Sequence, residues 1–331
     1  MAERPIFVVG YQRSGTTLLQ SLLGAHPRIA APPEVHFWFR IVMLADHWGD
    51  LTDDARASAV VREVLDLPFG LLDDAGFDEA VLRSAFLETD RSYAALLDTV
   101  MSDFAHRHGK QRWSEKTPQQ RPAWIWSLLP DAQVIHIVRD PRDVAVSESA
   151  WLRRLPAWQS AQRCVTFTSA AMHDGRNAVP GSYLRIGYED LTREPAVVMA
   201  SVCEFLGEEF PAAMVTVSRD GSPAVPRTSA PWQREAAAPI RPAVSTWSTD
   251  LGGRQRALVA ATADELVTTL GYRAAEHRLV VAGRLLRPTV WPSQRLDRAH
   301  RARVTRTART PADRYAAVRS FMADQERRWI T

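Results

Sequence analysis

The chain has 331 residues, 46% apolar and 24% charged, with a formal net charge of +3, a balance that excludes a disordered or fibrous protein. That length suits one large α/β domain with additions, or two small domains. No run of about 18 uncharged apolar residues occurs, and the first apolar run begins at Ile6, so neither a membrane span nor a signal peptide is expected and the chain reads as cytoplasmic.

Residues 5–10, around Ile6-Phe7-Val8-Val9, read as a buried strand. Gly10-Tyr11-Gln12-Arg13-Ser14-Gly15-Thr16-Thr17 follows, its glycines five apart between that strand and a helix. The backbone N–H groups of such a loop can converge on a phosphate. The shape matches the nucleotide loop Gly-x4-Gly-Lys-Ser/Thr, except that Thr16 stands in the lysine's place. A nucleoside triphosphatase needs that lysine on its β- and γ-phosphates and a hydroxyl on Mg²⁺. Arg13 is the one cation of this loop, which suggests a nucleotide with fewer charges and no metal requirement.

A helix is expected from Thr16 to about Ala25, with Leu18, Leu19, Leu22 and Leu23 inward, ended by His26-Pro27. Glu34 to His108 is helix-rich, with turns around Gly49-Asp50, Pro68 and Asp73-Asp74, and with Phe37, Trp38, Phe39 and Trp48 close behind the loop. Arg112 to Glu115 fits a short strand, Gln120 to Leu129 a helix, and Gln133 to Val138 a second buried strand. Asp140 suits an N-cap with Pro141 at the first helical position. That helix is expected to reach about Arg154, and another runs from Trp158 to Asn177. Ser182 to Ile186 reads as a third strand and Pro195 to Leu206 as a helix. Strand–helix alternation with apolar strands implies a parallel sheet covered on both faces. Cys164 and Cys203 fall in helical apolar patterns and read as reduced, partly buried thiols without zinc spacing.

Residues 221–247 turn proline-rich with little periodicity, and so long a connection reads as a functional loop closing over a ligand. A helix follows from about Arg254 to Leu270, stopped by Gly271, and a last one from Pro311 to about Trp329. Val281 to Thr331 carries twelve arginines against four acidic residues. Such a segment fits a solvated helical extension packed on its own domain, or a surface for an anionic membrane or an acidic partner; no nucleic acid is expected. Lysine occurs only at 110 and 116, against 39 arginines. With that bias, a lysine inside a motif raises the question why arginine would not serve: a compact point charge on a flexible stem suits following a moving charge in a tight site.

Val138-Arg139-Asp140-Pro141-Arg142-Asp143-Val144-Ala145-Val146-Ser147 suggests a second anion site. Arg139 ends a strand, where open α/β sheets bind ligands, and Ser147 lies two helical turns along. An arginine–phosphate contact contributes about 1.5–3 kcal/mol. Taken alone, Arg139 fits a structural ion pair as well.

Together these two sites resemble the sulfotransferases that use 3′-phosphoadenosine 5′-phosphosulfate (PAPS), and within them the tyrosylprotein-sulfotransferase-like branch with its many bacterial members. Arg13-Ser14-Gly15-Thr16-Thr17, Ala25-His26-Pro27, Glu34, Glu115-Lys116-Thr117-Pro118 and Tyr188-Glu189-Asp190-Leu191 keep that branch's pattern. The resemblance covers about residues 5–275. It implies a P-loop-type three-layer α/β fold with a central parallel sheet flanked by helices. The expected domain is 1–275, with a helical acceptor-side insertion at about 35–110 and a basic, mostly helical extension at 276–331. The implied donor contacts are Gly10, Arg13, Ser14, Gly15, Thr16 and Thr17 for the 5′-phosphosulfate, Arg139 and Ser147 for the 3′-phosphate, and Tyr188 beside the nucleotide. Arg241 falls near the family's basic residue before the last core helix, with Arg234 upstream. PAPS is the implied sulfuryl donor, without a metal, and a hydroxyl on a small molecule, glycan or lipid is the acceptor.

In that scheme Glu34, in Pro33-Glu34 where the branch usually pairs glutamates, takes the acceptor proton. His36 is the rival base, and helix capping is the plain structural role for Glu34. Lys116 stabilises the charge of transfer together with Arg13, while Phe37, Trp38, Phe39, Trp151 and Trp158 are candidates for the acceptor pocket. A P-loop kinase or nucleoside triphosphatase is the alternative, as is a nucleotide-binding module without catalysis. The sequence gives no oligomeric state.

Overall fold

Five parallel strands, β1 (Ile6–Val9), β2 (Ile29–Ala30), β3 (Arg112–Lys116), β4 (Gln133–Val138) and β5 (Tyr183–Gly187), form one sheet in the order β2-β3-β1-β4-β5. They belong to a computed structural model that describes residues 3–32, 37–66, 76–151, 155–216 and 238–290. Every residue of β1, β3 and β4 is buried, as a sheet covered on both faces requires. In β1, Phe7 and Val9 face one layer, while Ile6 and Val8 face the other.

The first layer holds α2 (Phe37–Trp48), α3 (Asp54–Asp66), α4 (Glu79–Leu87) and α5 (Tyr93–Arg107). Ile41, Leu44, Val60, Phe86, Leu97 and Val100 of these helices pack with Phe7, Trp113 and Val134 of the sheet. Opposite, α1 (Thr16–Gly24) sends in Leu19, Leu22 and Leu23, and α10 (Pro195–Leu206) sends in Met199, Val202 and Cys203. Between them in the chain lie α6 (Pro122–Leu128), α7 (Pro141–Trp151), α8 (Ala157–Arg176) and α9 (Tyr188–Arg193). The cap expected at α7 is present: the Asp140 carboxylate accepts the Arg142 backbone N–H at 2.9 Å.

β3 is unusual for a buried strand because four of its five residues are polar. Arg112, Ser114 and Lys116 are drawn into bonded networks. Arg112 donates to Glu208, the Leu206 and Arg4 carbonyls and Gln133. Ser114 donates to Gln20 and the Ala30 carbonyl, and the Gln20 amide donates to the Pro32 and Ser114 carbonyls. Lys110 donates to the carbonyls of Gly24 and Ile29, the latter at 2.9 Å. One small ammonium thus ties the end of α1 to β2, a place a planar guanidinium would fill poorly.

β2 is an addition to the expected strands; two residues carry no period to recognise. Cys164 and Cys203 are free and wholly rather than partly buried, and burial pushes the Cys164 thiol up to about 12. The helix expected over 254–270 is found at Gly253–Thr269, with Gly271 at φ +79 behind it. Beyond it, the helix His277–Leu286 lies against Gly253–Thr269 so closely that a Cβ on Gly283 would overlap the Ala257 carbonyl oxygen. The turns at Pro68 and Asp73-Asp74 and the helix expected from Pro311 lie outside the described residues. Among the described residues no helix is long and apolar enough to cross a membrane.

Candidate active site

Because β1 lies between β3 and β4, three strand ends open side by side. Two backbone bonds fasten them: Thr117 N–H donates to the Val8 carbonyl at 3.0 Å, and Gln119 N–H to that of Gly10 at 2.9 Å. Gly10 admits no side chain, since a Cβ there would lie 2.7 Å from the Ile137 carbonyl oxygen. Gly15 has φ +95, and a Cβ on it would fall inside 3.0 Å of two Tyr188 ring carbons. The loop can thus run close under the Tyr188 ring only with hydrogen at Gly15.

Gly15 is also the N-cap of α1, which has no side-chain cap bond. The first-turn N–H groups and the positive end of the helix dipole therefore face the loop. Ser14 N–H closes a turn onto the Tyr11 carbonyl at 3.1 Å, and Arg13 sits at φ +68.

Around this loop the structure brings most of the expected residues together. Arg13 donates Nε–H to Ser147 Oγ at 3.0 Å, and Arg139 donates to the Arg13 carbonyl at 3.0 Å. The Arg139 guanidinium lies 4.6 Å over the Tyr188 ring, a favourable cation–π geometry. Lys116, 5% exposed, donates to Thr17 Oγ1 at 3.0 Å. Ser14 and Thr16 are buried in the same loop. The arrangement is a glycine loop ringed by two arginines, a lysine and four hydroxyls, a set of donors that suits an anion with more than one phosphate-like group.

Some expected residues are elsewhere. Arg241 is exposed, and the structure does not join it to this cluster. The residues after it are anchored: Ala243 N–H donates to Thr192 Oγ1 at 3.1 Å, and Thr246 and Trp247 N–H donate to Asp143 at 2.8 and 2.9 Å. Trp158 is buried with Ala145 and Leu258, and lines a cavity of about 510 Å³ with Gln162, Arg284 and Arg287. Glu34, His36 and Arg234 lie outside the described residues, as do the side chains of Phe37, Trp38, Phe39 and Trp151.

The sequence reading overlooked Glu148. This carboxylate is fully buried on α7, directly after Ser147, and accepts from the Tyr11 hydroxyl, the Gln12 amide and the Ser160 hydroxyl. Burial, with the charge of Glu148, raises the Tyr11 hydroxyl's pKa far above its usual value, so it stays a donor.

Comparison with known proteins gives the same direction. A family model described as the sulfotransferase family matches residues 5–212. The nodulation protein NoeE of Sinorhizobium fredii is 32% identical over 149 residues, 44% of this chain and 31% of that protein. A protein-tyrosine sulfotransferase of Drosophila melanogaster is 25% identical over 213 residues, 61% of this chain and 37% of that protein. The chain thus spans about a third of the length of these two relatives. Among solved structures, the sulfotransferase domain of the Synechococcus olefin synthase superposes with a TM-score of 0.57 at 22% identity, covering 83% of this chain and 97% of that one.

Proposed function

The chain belongs to the sulfotransferase family, and on that premise we propose that it transfers the sulfuryl group of PAPS to an acceptor hydroxyl. The observation that carries the donor reading is the bond between Arg13 and Ser147, which joins a 5′-phosphate loop to a 3′-phosphate pair in one site. Two further features suit such a donor. Glycine at 10 and 15 lets the loop backbone run close against Ile137 and Tyr188, and Arg139 Nε is buried without a hydrogen-bond partner.

When bound, the donor supplies the sulfuryl group and a phosphate leaving group. The protein's own part is positioning and charge stabilisation, as in phosphoryl transfer. The α1 amides with Arg13, Thr16 and Thr17 hold the 5′-phosphate, and Arg139 with Ser147 holds the 3′-phosphate. Tyr188 flanks the nucleotide on the loop side. Lys116, held at Thr17, faces the charge that develops in transfer, an electrostatic contribution of about 3–4 kcal/mol for one donor. Glu34 takes the acceptor proton. The acceptor is a hydroxyl on a small molecule, a glycan or a lipid.

Calorimetric titration in metal-free buffer with 3′-phosphoadenosine 5′-phosphate, the spent donor, tests this reading beside ATP and the Arg139→Ala variant. Micromolar binding of the spent donor, weaker ATP binding and loss in the variant are expected. Better binding of ATP with Mg²⁺, or no binding of the spent donor, would overturn the assignment of both anion sites.

A further inference from the structure

Arg13 is the strained point of the loop, a non-glycine residue held at φ +68, in the left-handed region that L side chains avoid. Its carbonyl and guanidinium are held by Arg139 and Ser147. The two residues before it are held by Glu148. Both carboxylate oxygens accept from the Tyr11 hydroxyl, at 3.0 and 3.2 Å, and one also accepts from the Gln12 side-chain amide. Ser160 of α8 donates its hydroxyl to the same group from the far side.

All three of these donors are neutral, and Glu148 is 0% exposed. Among the described residues the groups that donate to Glu148 are these neutral ones, and a carboxylate buried in this way is costly, so a stability role alone explains it poorly. An acceptor-only group is what the geometry asks for. A carboxylate offers about four lone-pair sites, whereas a glutamine there would turn its own NH₂ against one of the donors.

We propose that Glu148 is a positioning residue for the donor loop: through Tyr11 and Gln12 it holds the backbone that presents Arg13 to both anion sites. The inference rests on the donor reading of those sites. Its test is binding of 3′-phosphoadenosine 5′-phosphate, measured beside thermal unfolding. Three variants serve: Glu148→Gln, the pair Tyr11→Phe with Gln12→Ala, and all three substitutions together.

Glu148→Gln is expected to fold and to bind about tenfold more weakly or worse, and the loop pair likewise. The triple variant is expected to bind no more weakly than either, because groups acting through one contact are not additive. A Glu148→Gln protein with a lowered melting temperature and unchanged affinity overturns the proposal, as do additive losses. Should Glu148→Gln not fold, the loop pair, which keeps the carboxylate, decides alone: weaker binding supports the proposal and unchanged binding overturns it. If the unmodified protein does not bind, the donor reading falls and takes this inference with it. Equal binding by the unmodified and Glu148→Gln proteins removes the positioning role only.

Discussion

Replacing Gly15 by alanine loads two separate costs onto one atom. The backbone there has φ +95, and a left-handed conformation costs an L residue about 1–2 kcal/mol. The added Cβ would also lie 2.9 Å from Tyr188 Cε2 and closer still to Cδ2, and overpacking a filled site costs about 1–3 kcal/mol. The ring cannot retreat freely, because the Arg139 guanidinium lies 4.6 Å over it. Gly15→Ala is therefore expected to lose about 2–5 kcal/mol of unfolding free energy. Gly181→Ala separates the two contributions, since Gly181 has φ +79 and nothing within 4 Å of a built Cβ; only the conformational cost of about 1–2 kcal/mol remains there. Urea unfolding of both variants, with calorimetric binding of 3′-phosphoadenosine 5′-phosphate to the folded proteins, reads the difference. Gly15→Ala should also bind the nucleotide poorly, because displacing Tyr188 displaces Arg139, whereas Gly181→Ala should bind normally. If Gly15→Ala unfolds no more easily than Gly181→Ala and binds unimpaired, the packing of Tyr188 on the loop has been misjudged.

Four other outcomes are expected. Arg139→Ala should weaken nucleotide binding by about 10- to 150-fold, the worth of a charge-assisted bond, and Arg139→Lys should recover little because it loses the planar fork; full recovery in the titration would count against a bidentate role. Lys116→Ala should lower the turnover rate about 100- to 1,000-fold while donor affinity changes far less, which rapid-quench kinetics would separate. Glu34→Gln should cost about 100- to 10,000-fold in turnover at unchanged donor affinity, and an active variant would move attention to His36. His136 is wholly buried in β4, and burial, then the charge of Arg185, hold its pKa near 3 against a usual 6.5. The folded state therefore binds fewer protons, so stability is complete above pH 6.5 and falls as pH drops towards 3. The slope is up to about 1.4 kcal/mol per pH unit. His136→Gln should flatten that acid limb in unfolding titrations, and an unchanged slope would refute the buried-histidine account.

β1 and β4 were legible because they are continuous apolar runs between turn signals, the pattern of strands buried on both faces. β3 was harder, since Arg112, Ser114 and Lys116 are buried through partners far along the chain, and no local pattern announces them. Arg139 and Ser147 were legible because a strand end followed by two helical turns fixes their spacing, and Arg13 followed from the loop. Glu148 was not, because a glutamate in a helix ordinarily means solvent; only the seating of α7 between the loop and Ser160 turns it inward. The helix His277–Leu286 was grouped with the basic extension by charge, yet Val280 and Gly283 bury it against Gly253–Thr269. Arg241 rested on a motif position, which carries no distance, and the structure leaves it exposed.

The position of β1 in the sheet also governs how the chain can be made. Of the five strands of this sheet, the earliest in sequence is the central one, and its neighbours are β3 and β4. No sheet partner for Ile6 exists until the ribosome has released Ser114, and its second flank waits for Gln133. Throughout that interval an apolar strand and a strained glycine loop must be kept from pairing wrongly, and contacts so distant in sequence form slowly. The helices between Phe37 and Arg107 are local and can form meanwhile, offering the waiting strand the apolar face it will finally rest on. A chain released before β4 would keep the loop and lose the site.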